Sequence, residues 1–298
     1  MQIIQFLFEK YYLDNSNLSV VSSHWQKHGF QNLVLKDNNI EIRGMGGFGD
    51  YIHNSFNMYC RNIIHLLLTK YYRKKFVKDK SIDNLTKKIS SKSKRLHLLD
   101  SAKHAIVLEQ LVSFNALKDG MTICIIGDGY GYFGNLLSAF NSSVKIVFVN
   151  LGKQLIFDAQ ITKNINPNAD FKLLSKDNIN DKLCSFNYLE AENYNLISNL
   201  NIDLFINIAS MQEMNKATVD NYFKYMRDSK SSEKFFYCCN RIHKTLPDGE
   251  HIIFDEYPWN DSTNLFEEIP QWYAHFTAQR PPFWRPFDGK FKVRFVKL

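Results

Sequence analysis

Residues 123–134 read ICIIGDGYGYFG, an apolar run that breaks into four glycines at Gly127, Gly129, Gly131 and Gly134. A β-branched run followed at once by glycines is typical of a buried strand that turns tightly into a helix. Backbone amides at such a turn are free to face a nucleotide-like ligand. The stretch therefore predicts a cofactor site at the end of a strand in an α/β sheet.

The glycine spacing fits two kinds of nucleotide-binding turn. Gly127, Gly129 and Gly131 match the GxGxG spacing of S-adenosylmethionine enzymes, whereas Gly129, Gly131 and Gly134 match the GxGxxG spacing of dinucleotide-binding folds. The helical pattern of residues 135–140 favours a ligand-binding turn over a turn without a ligand. The spacing alone leaves both cofactors open.

Short β-rich runs alternate with stretches of helical periodicity in the second part of the chain. This alternation predicts a mostly parallel, doubly wound α/β sheet. The last run alternates apolar and polar residues cleanly, which predicts an antiparallel edge strand. The predicted strands are residues 123–126, 145–149, 186–189, 202–208, 235–239, 251–255 and 291–296.

The first part of the chain has a different pattern. Residues 55–76 and 101–117 show helical spacing, and residues 40–43 form a short extended piece. We therefore expect a mostly helical amino-terminal cap over residues 1–118 that helps to bind the substrate. The α/β domain would cover residues 119–298.

Two further stretches are candidates for the substrate site. A second glycine cluster at residues 44–49 can fold over a bound ligand, with Arg43 contacting a phosphate or a sugar, although a flexible turn explains it equally well. Residues 257–286 are rich in aromatic rings, which can stack on sugars. Packing against the sheet is the commoner use of so many rings, and we expect it here.

Composition indicates a folded protein without covalent cross-links. Hydrophobic residues make up 45% of the chain, which is ample for a packed core. The five cysteines lack CxxC spacing, and no Asp, Glu, His or Cys cluster has convincing metal-ligand spacing, so we expect free thiols and no metal centre. Neither a transmembrane-length apolar run nor a signal-peptide pattern is visible, and we expect a cytoplasmic protein.

The formal net charge of +7 is concentrated between Lys70 and Arg95, where eleven Lys/Arg stand against two Asp/Glu. The simplest interpretation is a solvated helix face and a connector, because charge runs are usually solvated. The alternatives are attraction to a phosphate-bearing substrate such as a nucleotide sugar, and peripheral contact with an anionic membrane surface. We do not expect a nucleic-acid partner.

Polar residues follow the second and third predicted strands, at the edge where ligands bind in an open α/β sheet. A ribose-binding carboxylate is expected about twenty residues past the glycines, but this chain has Asn150 there, followed by Leu151. We expect an uncharged ribose contact at Asn150, shared with a group such as Asp128. Glu190 and Ala191 are placed to line an adenine pocket, and a solvated acidic turn is an equal alternative.

Residues 205–214 read FINIASMQEM. This stretch resembles the strand-four signature of the sugar O-methyltransferase family, which has an asparagine, a small or serine residue and a Gln-Glu-Met ending. The similarity extends with gaps over about residues 40–260. Besides Asn207, Ser210, Gln212, Glu213 and Met214, the matching stretches are residues 42–49 (IRGMGGFG), 127–131 (GDGYG, with Tyr130) and 237–241 (YCCNR).

The resemblance implies a Rossmann-like methyltransferase sheet with S-adenosylmethionine as cofactor. It also implies in-line attack of a sugar hydroxyl on the methyl group of a sulfonium, with a carbohydrate or nucleotide sugar as substrate. Positioning and a general base would supply the acceleration. The implied cofactor-binding residues are Gly127, Asp128, Gly129, Tyr130, Gly131, Asn150, Leu151, Glu190, Ala191, Asn207 and Ser210.

Three residues are candidates for the general base. Glu213 comes just past the fourth strand, whereas His243 and Asp255 follow the fifth and sixth strands. Each has a structural alternative, since Glu213 can cap a helix or pair with a nearby arginine, His243 can be a surface histidine, and Asp255 can end a strand. The implied substrate-binding residues are Arg43, Gln212 and Arg241.

Two departures from the family pattern leave other functions open. Ile125 stands where an acid is usual, two positions before the first glycine, and Asn150 replaces the ribose-binding acid. An NAD-dependent oxidoreductase would share the glycine turn. A non-catalytic basic scaffold, associated with nucleic acid, would explain the lost acids. The Gln-Glu-Met ending favours the methyltransferase.

Overall fold

The computed structural model describes residues 2–13, 33–36, 39–42, 56–93, 96–278 and 280–298. Its helices are α1 (Gln2–Phe8), α2 (Phe56–Phe76), α3 (Lys80–Lys92), α4 (Leu99–Ser113), α5 (Tyr132–Phe140), α6 (Gly152–Ile165) and α7 (Lys216–Asp228). A π-helical turn, Glu9–Leu13, continues α1, and 3-10 turns are formed by Ala191–Asn199, Met211–Glu213, Phe254–Glu256 and Gln271–Tyr273. Its strands are β1 (Leu33–Lys36), β2 (Asn39–Ile42), β3 (Thr122–Ile126), β4 (Lys145–Asn150), β5 (Phe171–Leu173), β6 (Phe186–Glu190), β7 (Leu204–Ile208), β8 (Phe235–Arg241), β9 (His243–Thr245), β10 (His251–Ile253), β11 (Thr263–Glu268), β12 (His275–Thr277), β13 (Trp284–Pro286) and β14 (Phe291–Lys297).

An eight-stranded sheet lies at the centre, in the order β11-β14-β8-β7-β3-β4-β6-β5. Strands β3 to β8 are parallel to one another, and β14 is antiparallel to both β8 and β11. The expected fold class, a mostly parallel α/β sheet with an antiparallel last strand, is therefore confirmed. The glycine turn follows β3, which lies between β4 and β7.

Two details of the predicted sheet are wrong. β14 is not an edge strand, because β11 pairs along its outer side. Residues 251–255 do not join the sheet, since β10 pairs with β9 in a separate hairpin and a 3-10 turn follows. The reason is the tight turn at Gly249, whose positive φ of 94° brings the chain back on itself.

The sheet is covered on both faces. One apolar cluster joins inward residues of the strands to the helices α3, α4, α5 and α6, and a second cluster joins the opposite face to α7 and the 3-10 segment Ala191–Asn199. All side chains of β3 are buried, as expected for a parallel strand between two layers. The two layers cover the faces of the sheet, so the loops that follow the strands shape the edge at their carboxyl ends.

Arg73 ties the amino-terminal helices together. Its buried guanidinium pairs with Asp83 of α3 and donates to the Ser101 hydroxyl of α4 at 2.6 Å. This arginine belongs to the basic stretch that begins at Lys70, but it serves packing. The same helices share one core with the sheet, and the division into two domains stays a prediction.

Among the described residues, α2 is the longest helix, yet no helix there is long and apolar enough to cross a membrane.

Candidate functional site

The glycine turn after β3 takes the left-handed backbone that only glycine adopts readily. Gly127, Gly129 and Gly131 have φ values of 75°, 82° and 62°. Two of these positions also lack room for a side chain. A β-carbon at Gly127 would lie 2.1 Å from the Ser210 hydroxyl oxygen, and one at Gly131 would lie 2.8 Å from the backbone oxygen of Asp158. The turn is thus held between the end of β7 and α6.

Asp128 places its carboxylate on the first turn of α5. The carboxylate accepts hydrogen bonds from the Phe133 amide at 3.1 Å and the Gly134 amide at 2.8 Å. Dinucleotide-binding folds use this helix end to hold a pyrophosphate. A pyrophosphate here would meet a carboxylate instead of free amides, so the turn suits a ligand with no phosphate at this point.

The side chain of Asn150, at the end of β4, is buried and hydrogen-bonded within the protein. Its side-chain amide donates to Asp158 at 3.1 Å, and its carbonyl oxygen accepts from the Leu151 amide at 3.0 Å. Its register partner on the neighbouring strand is Glu190, which is only 5% exposed. A buried acid therefore stands one strand away from the place where the sequence predicts a ribose contact. Ala191 follows Glu190 and begins a 3-10 turn.

The amino-terminal helix reaches this edge of the sheet. The Lys10 ammonium lies 2.9 Å from both carboxylate oxygens of Glu190. The ring of Tyr11 lies so close to Gly152, at the start of α6, that a β-carbon there would be 2.2 Å from a ring atom. Burial, reinforced by Glu190, raises the pKa of Tyr11. Sequence reasoning missed Lys10 and Tyr11 because no local pattern signals a contact with Glu190 across 180 residues.

A network of buried amides joins the ends of three strands. Asn207 of β7 donates to the Ile126 carbonyl at 2.7 Å and accepts from Asn240 of β8 at 2.7 Å. Asn240 also accepts from the Gln212 amide, and the Gln212 side chain accepts from the Arg241 amide. The predicted residues Asn207, Gln212 and Arg241 are therefore neighbours, and the first two hold the sheet ends in register.

Glu213 forms a partly buried ion pair in front of this network. The Lys244 ammonium is 3.1 Å from the Glu213 carboxylate, and the two side chains are 12% and 17% exposed, respectively. Burial raises the pKa of Glu213 despite the opposing effects of Lys244 and Arg241, and burial also lowers the pKa of Lys244. A carboxylate with a raised pKa is suited to proton transfer.

His243 and Asp255 have other surroundings. His243 is exposed and stacks on His251, with ring centroids 5.3 Å apart, and strand alternation turns it away from Lys244. Asp255 pairs with Lys292 and Arg294, each at 2.9 Å. Burial acts to raise the pKa of Asp255, but these cations hold it below the ordinary value. Of the three candidate bases, the geometry favours Glu213.

Two residues of α4 that sequence reasoning did not single out lie near these elements. Lys103 is buried, with its ammonium 4.2 Å from the Tyr273 ring centre and 4.8 Å from that of Phe287, and burial lowers its pKa. Arg241 lies 5.4 Å from the same Phe287 ring. His104 stacks on Tyr132, just past the glycine turn, and burial lowers its pKa to about 3.

The remaining predicted residues have these positions. The ring of Tyr130 is buried and packs edge-on to Phe157. Arg43 and the second glycine cluster lie outside the described residues. Within the described ranges, no group of three or more His, Cys, Asp or Glu could hold a metal ion.

No protein-family model matches the sequence, and no curated protein matches it. Solved structures resemble it weakly. A cyclopropane synthase from Mycobacterium tuberculosis is 11% identical, with a TM-score of 0.44 over 65% of this chain and 84% of that one. A Thermoplasma acidophilum protein is 10% identical, with a TM-score of 0.46 over 72% and 95% of the two chains. TrmK from M. capricolum, solved with S-adenosyl-homocysteine, is 11% identical, with a TM-score of 0.38 over 63% and 66%. At these sequence identities and TM-scores the similarities do not establish a function for this chain.

Proposed function

We propose that this protein is an S-adenosylmethionine-dependent methyltransferase that methylates a sugar hydroxyl. The observation that carries the proposal is the Asp128 carboxylate on the first turn of α5, inside the glycine turn. A carboxylate at this point attracts the positively charged sulfonium of S-adenosylmethionine and repels the pyrophosphate of NAD. The NAD-dependent oxidoreductase is disfavoured for that reason.

The residues at the strand ends fit an adenosyl ligand. Backbone groups of Gly127, Gly129 and Gly131 would hold its amino-acid part, and the buried carboxylate of Glu190 would accept hydrogen bonds from its ribose or adenine in place of the absent acid at Asn150. Tyr11 would contribute an aromatic surface beside Glu190. When bound, S-adenosylmethionine supplies an electrophilic methyl group.

Glu213 is proposed as the general base. Its raised pKa gives it affinity for a proton, and the Lys244 ammonium at 3.1 Å keeps it ionised and oriented before the reaction. The Glu213 carboxylate would accept the proton that the sugar hydroxyl loses as its oxygen takes the methyl group and the sulfur–methyl bond breaks, which leaves the sulfonium as a neutral thioether. The Asn207, Asn240 and Gln212 amides fix the backbone that presents Glu213, which supports positioning as the main source of acceleration.

The acceptor is proposed to be a sugar that carries an anionic group, such as a nucleotide sugar. The support is a cation beside two rings: Arg241 lies 5.4 Å from the Phe287 ring centre and 5.9 Å from that of Phe291. Lys103, which is buried and pairs with Asp100 at 3.5 Å, lies behind Phe287 at 4.8 Å from its ring centre. Rings stack on sugar faces, and guanidinium and ammonium groups bind phosphate or carboxylate. The Gln-Glu-Met ending at Met214 supports the sugar as the substrate class.

Calorimetric titration of the purified protein with S-adenosylmethionine, S-adenosylhomocysteine and NAD tests the cofactor. We expect micromolar binding of both adenosyl ligands and no binding of NAD. Glu190→Gln should weaken adenosyl binding about tenfold, since it removes one charge-assisted hydrogen-bond acceptor. Glu256→Gln, an exposed carboxamide substitution, is the matched control. Binding of NAD would overturn the proposal. Absence of binding for all three ligands would favour a non-catalytic scaffold.

A further inference from the structure

Helix α2 turns apolar side chains outward. Its exposed large residues are Tyr59, Ile63, Ile64, Leu66, Leu67 and Tyr71, which are 37% to 71% exposed. We name these six residues the α2 apolar face. Scattered exposed apolar residues are ordinary, but six on one helix form a patch of the kind that marks an interaction site.

The inward side of α2 is partly polar. Beside Tyr72, which packs into the apolar core, Asn62, His65, Thr69 and Arg73 are each 9% exposed or less. A surface helix normally has the opposite arrangement, with apolar residues inside and polar residues in water. The described residues leave the α2 apolar face exposed, so it is available to a binding partner.

Basic residues continue this face towards the end of the helix. Lys70 and Lys74 are exposed and lie seven and eleven residues past Ile63, so they share its side of the helix. Lys75 is also exposed, four residues past Tyr71. The sequence of α2 contains no Asp or Glu. A partner for this face must therefore accept apolar side chains and offer negative charge beside them.

An anionic lipid surface meets both requirements. Interfacial helices bury an apolar face at the boundary between headgroups and acyl chains while lysines bind anionic headgroups. Tyrosine rings favour that boundary because one end is apolar and the other is polar, and Tyr59 and Tyr71 stand at the two ends of the face. The face is about 18 Å long at 1.5 Å per residue, so it would lie along the surface.

We propose that the α2 apolar face, with Lys70, Lys74 and Lys75, binds the surface of an anionic membrane. This inference does not depend on the proposed methyltransferase activity. Peripheral contact with an anionic membrane is one of the alternatives that the sequence leaves open for Lys70 to Arg95. The structure adds that apolar residues of the same helix are exposed. The consequence of this binding is that the protein is held at or near a lipid surface.

Vesicle flotation with the full chain tests the proposal. We expect the protein to float with phosphatidylcholine vesicles that contain about a third phosphatidylserine, to bind pure phosphatidylcholine far more weakly, and to lose binding as salt increases. Ile63→Gln with Leu67→Gln should abolish flotation. Lys70→Gln with Lys74→Gln should weaken it about fivefold for each lysine.

Matched controls keep the test specific. Leu265→Gln changes a residue that is 50% exposed on β11, and Lys176→Gln with Lys182→Gln removes two exposed lysines elsewhere. Both control proteins should float like the parent. Circular dichroism must show the same melting for every variant, because all substituted side chains are exposed. Equal flotation of the Ile63/Leu67 variant and the parent would overturn the proposal.

Cys60 gives an independent readout because it is exposed on α2 next to Tyr59. In a Cys184→Ser background, a polarity-sensitive dye on Cys60 should shift to the blue on anionic vesicles and remain unchanged on neutral ones. Slow thiol labelling in the free protein would show that the face is already covered. A dimer that dissociates on Ile63→Gln would assign the face to a second copy. Either result would overturn the proposal.

Discussion

Glu213 is the side chain on which the proposed chemistry depends. Glu213→Gln keeps the size of the side chain and removes the proton acceptor, so turnover should fall about 100-fold or more. Affinity for S-adenosylmethionine should change less than about threefold, because Glu213 is proposed to take part in proton transfer and not in binding of the cofactor. Single-turnover rates with an accepting sugar and calorimetric Kd values measure the two effects separately.

The pH profile distinguishes a base from a structural carboxylate. Because burial raises the pKa of Glu213, the parent rate should fall on the acid side at a higher pH than an ordinary glutamate would give. Glu213→Gln should lack this acid limb. Glu233→Gln, which removes an exposed carboxylate paired with Lys297, should keep both the rate and the limb. A parent-like rate in Glu213→Gln would remove Glu213 from the mechanism.

Individual site residues could be predicted from the sequence where the local backbone requires a particular residue type. Gly127 and Gly131 could be predicted because a tight strand-to-helix turn needs a positive φ, and both have one. The role of Asp128 as a helix cap was not predicted, although an acid near a helix start is a usual capping pattern. Lys10 and Tyr11 could not be predicted, since their contacts at Glu190 and Gly152 depend on how a distant helix packs.

At the scale of elements, the π-helical turn that continues α1 makes a close approach to the start of α6 through Tyr11 and Gly152. Gly152→Ala would normally favour a helix start, but here its β-carbon would overlap the Tyr11 ring. We expect Gly152→Ala to lower the free energy of unfolding by about 1–3 kcal/mol, as overpacking does. The same substitution in a Tyr11→Ala background should cost almost nothing. Urea denaturation of the four proteins gives the coupling energy.

The same variants also test whether residues 2–13 stay in place at the edge of the sheet. Hydrogen exchange in residues 2–13 should increase in Gly152→Ala if α1 leaves the sheet edge. Gly120→Ala is a useful comparison, because a β-carbon there meets no atom within 4 Å and only its φ of 75° is unfavourable. Additive effects of Gly152→Ala and Tyr11→Ala would show that the Tyr11 ring does not pack on Gly152.

Elements were predictable in proportion to their burial. β3, β4, β6, β7 and β8 are covered on both faces, so each appears as a short apolar run in the sequence. β11 was missed because most of its side chains are exposed and it lacks a buried face. β5 was missed because it has only three residues. Residues 251–255, which contain β10, were predicted as a strand of the main sheet because apolar content alone does not identify a partner strand.

At the scale of the whole molecule, two histidines make stability depend on pH. His97, whose ring bonds to the Thr86 hydroxyl at 2.9 Å, and His104, which stacks on Tyr132 and Phe133, each have a pKa lowered from 6.5 to about 3 by burial, with nearby cations adding to it. Below pH 6.5 these two histidines bind protons in the unfolded chain, whereas in the folded chain they stay neutral down to about pH 3. Stability therefore rises with pH across this window.

We expect the free energy of unfolding to decrease by up to about 2 kcal/mol for each histidine between about pH 7 and pH 5. His104→Phe keeps a ring on Tyr132 and Phe133 and removes one titrating group, so its loss of stability on acidification should be smaller by about that amount. Urea denaturation at several pH values measures the slopes. A parent slope retained in His104→Phe would mean that His104 is protonated equally in the folded and unfolded chains, and that the acid sensitivity of this fold lies elsewhere.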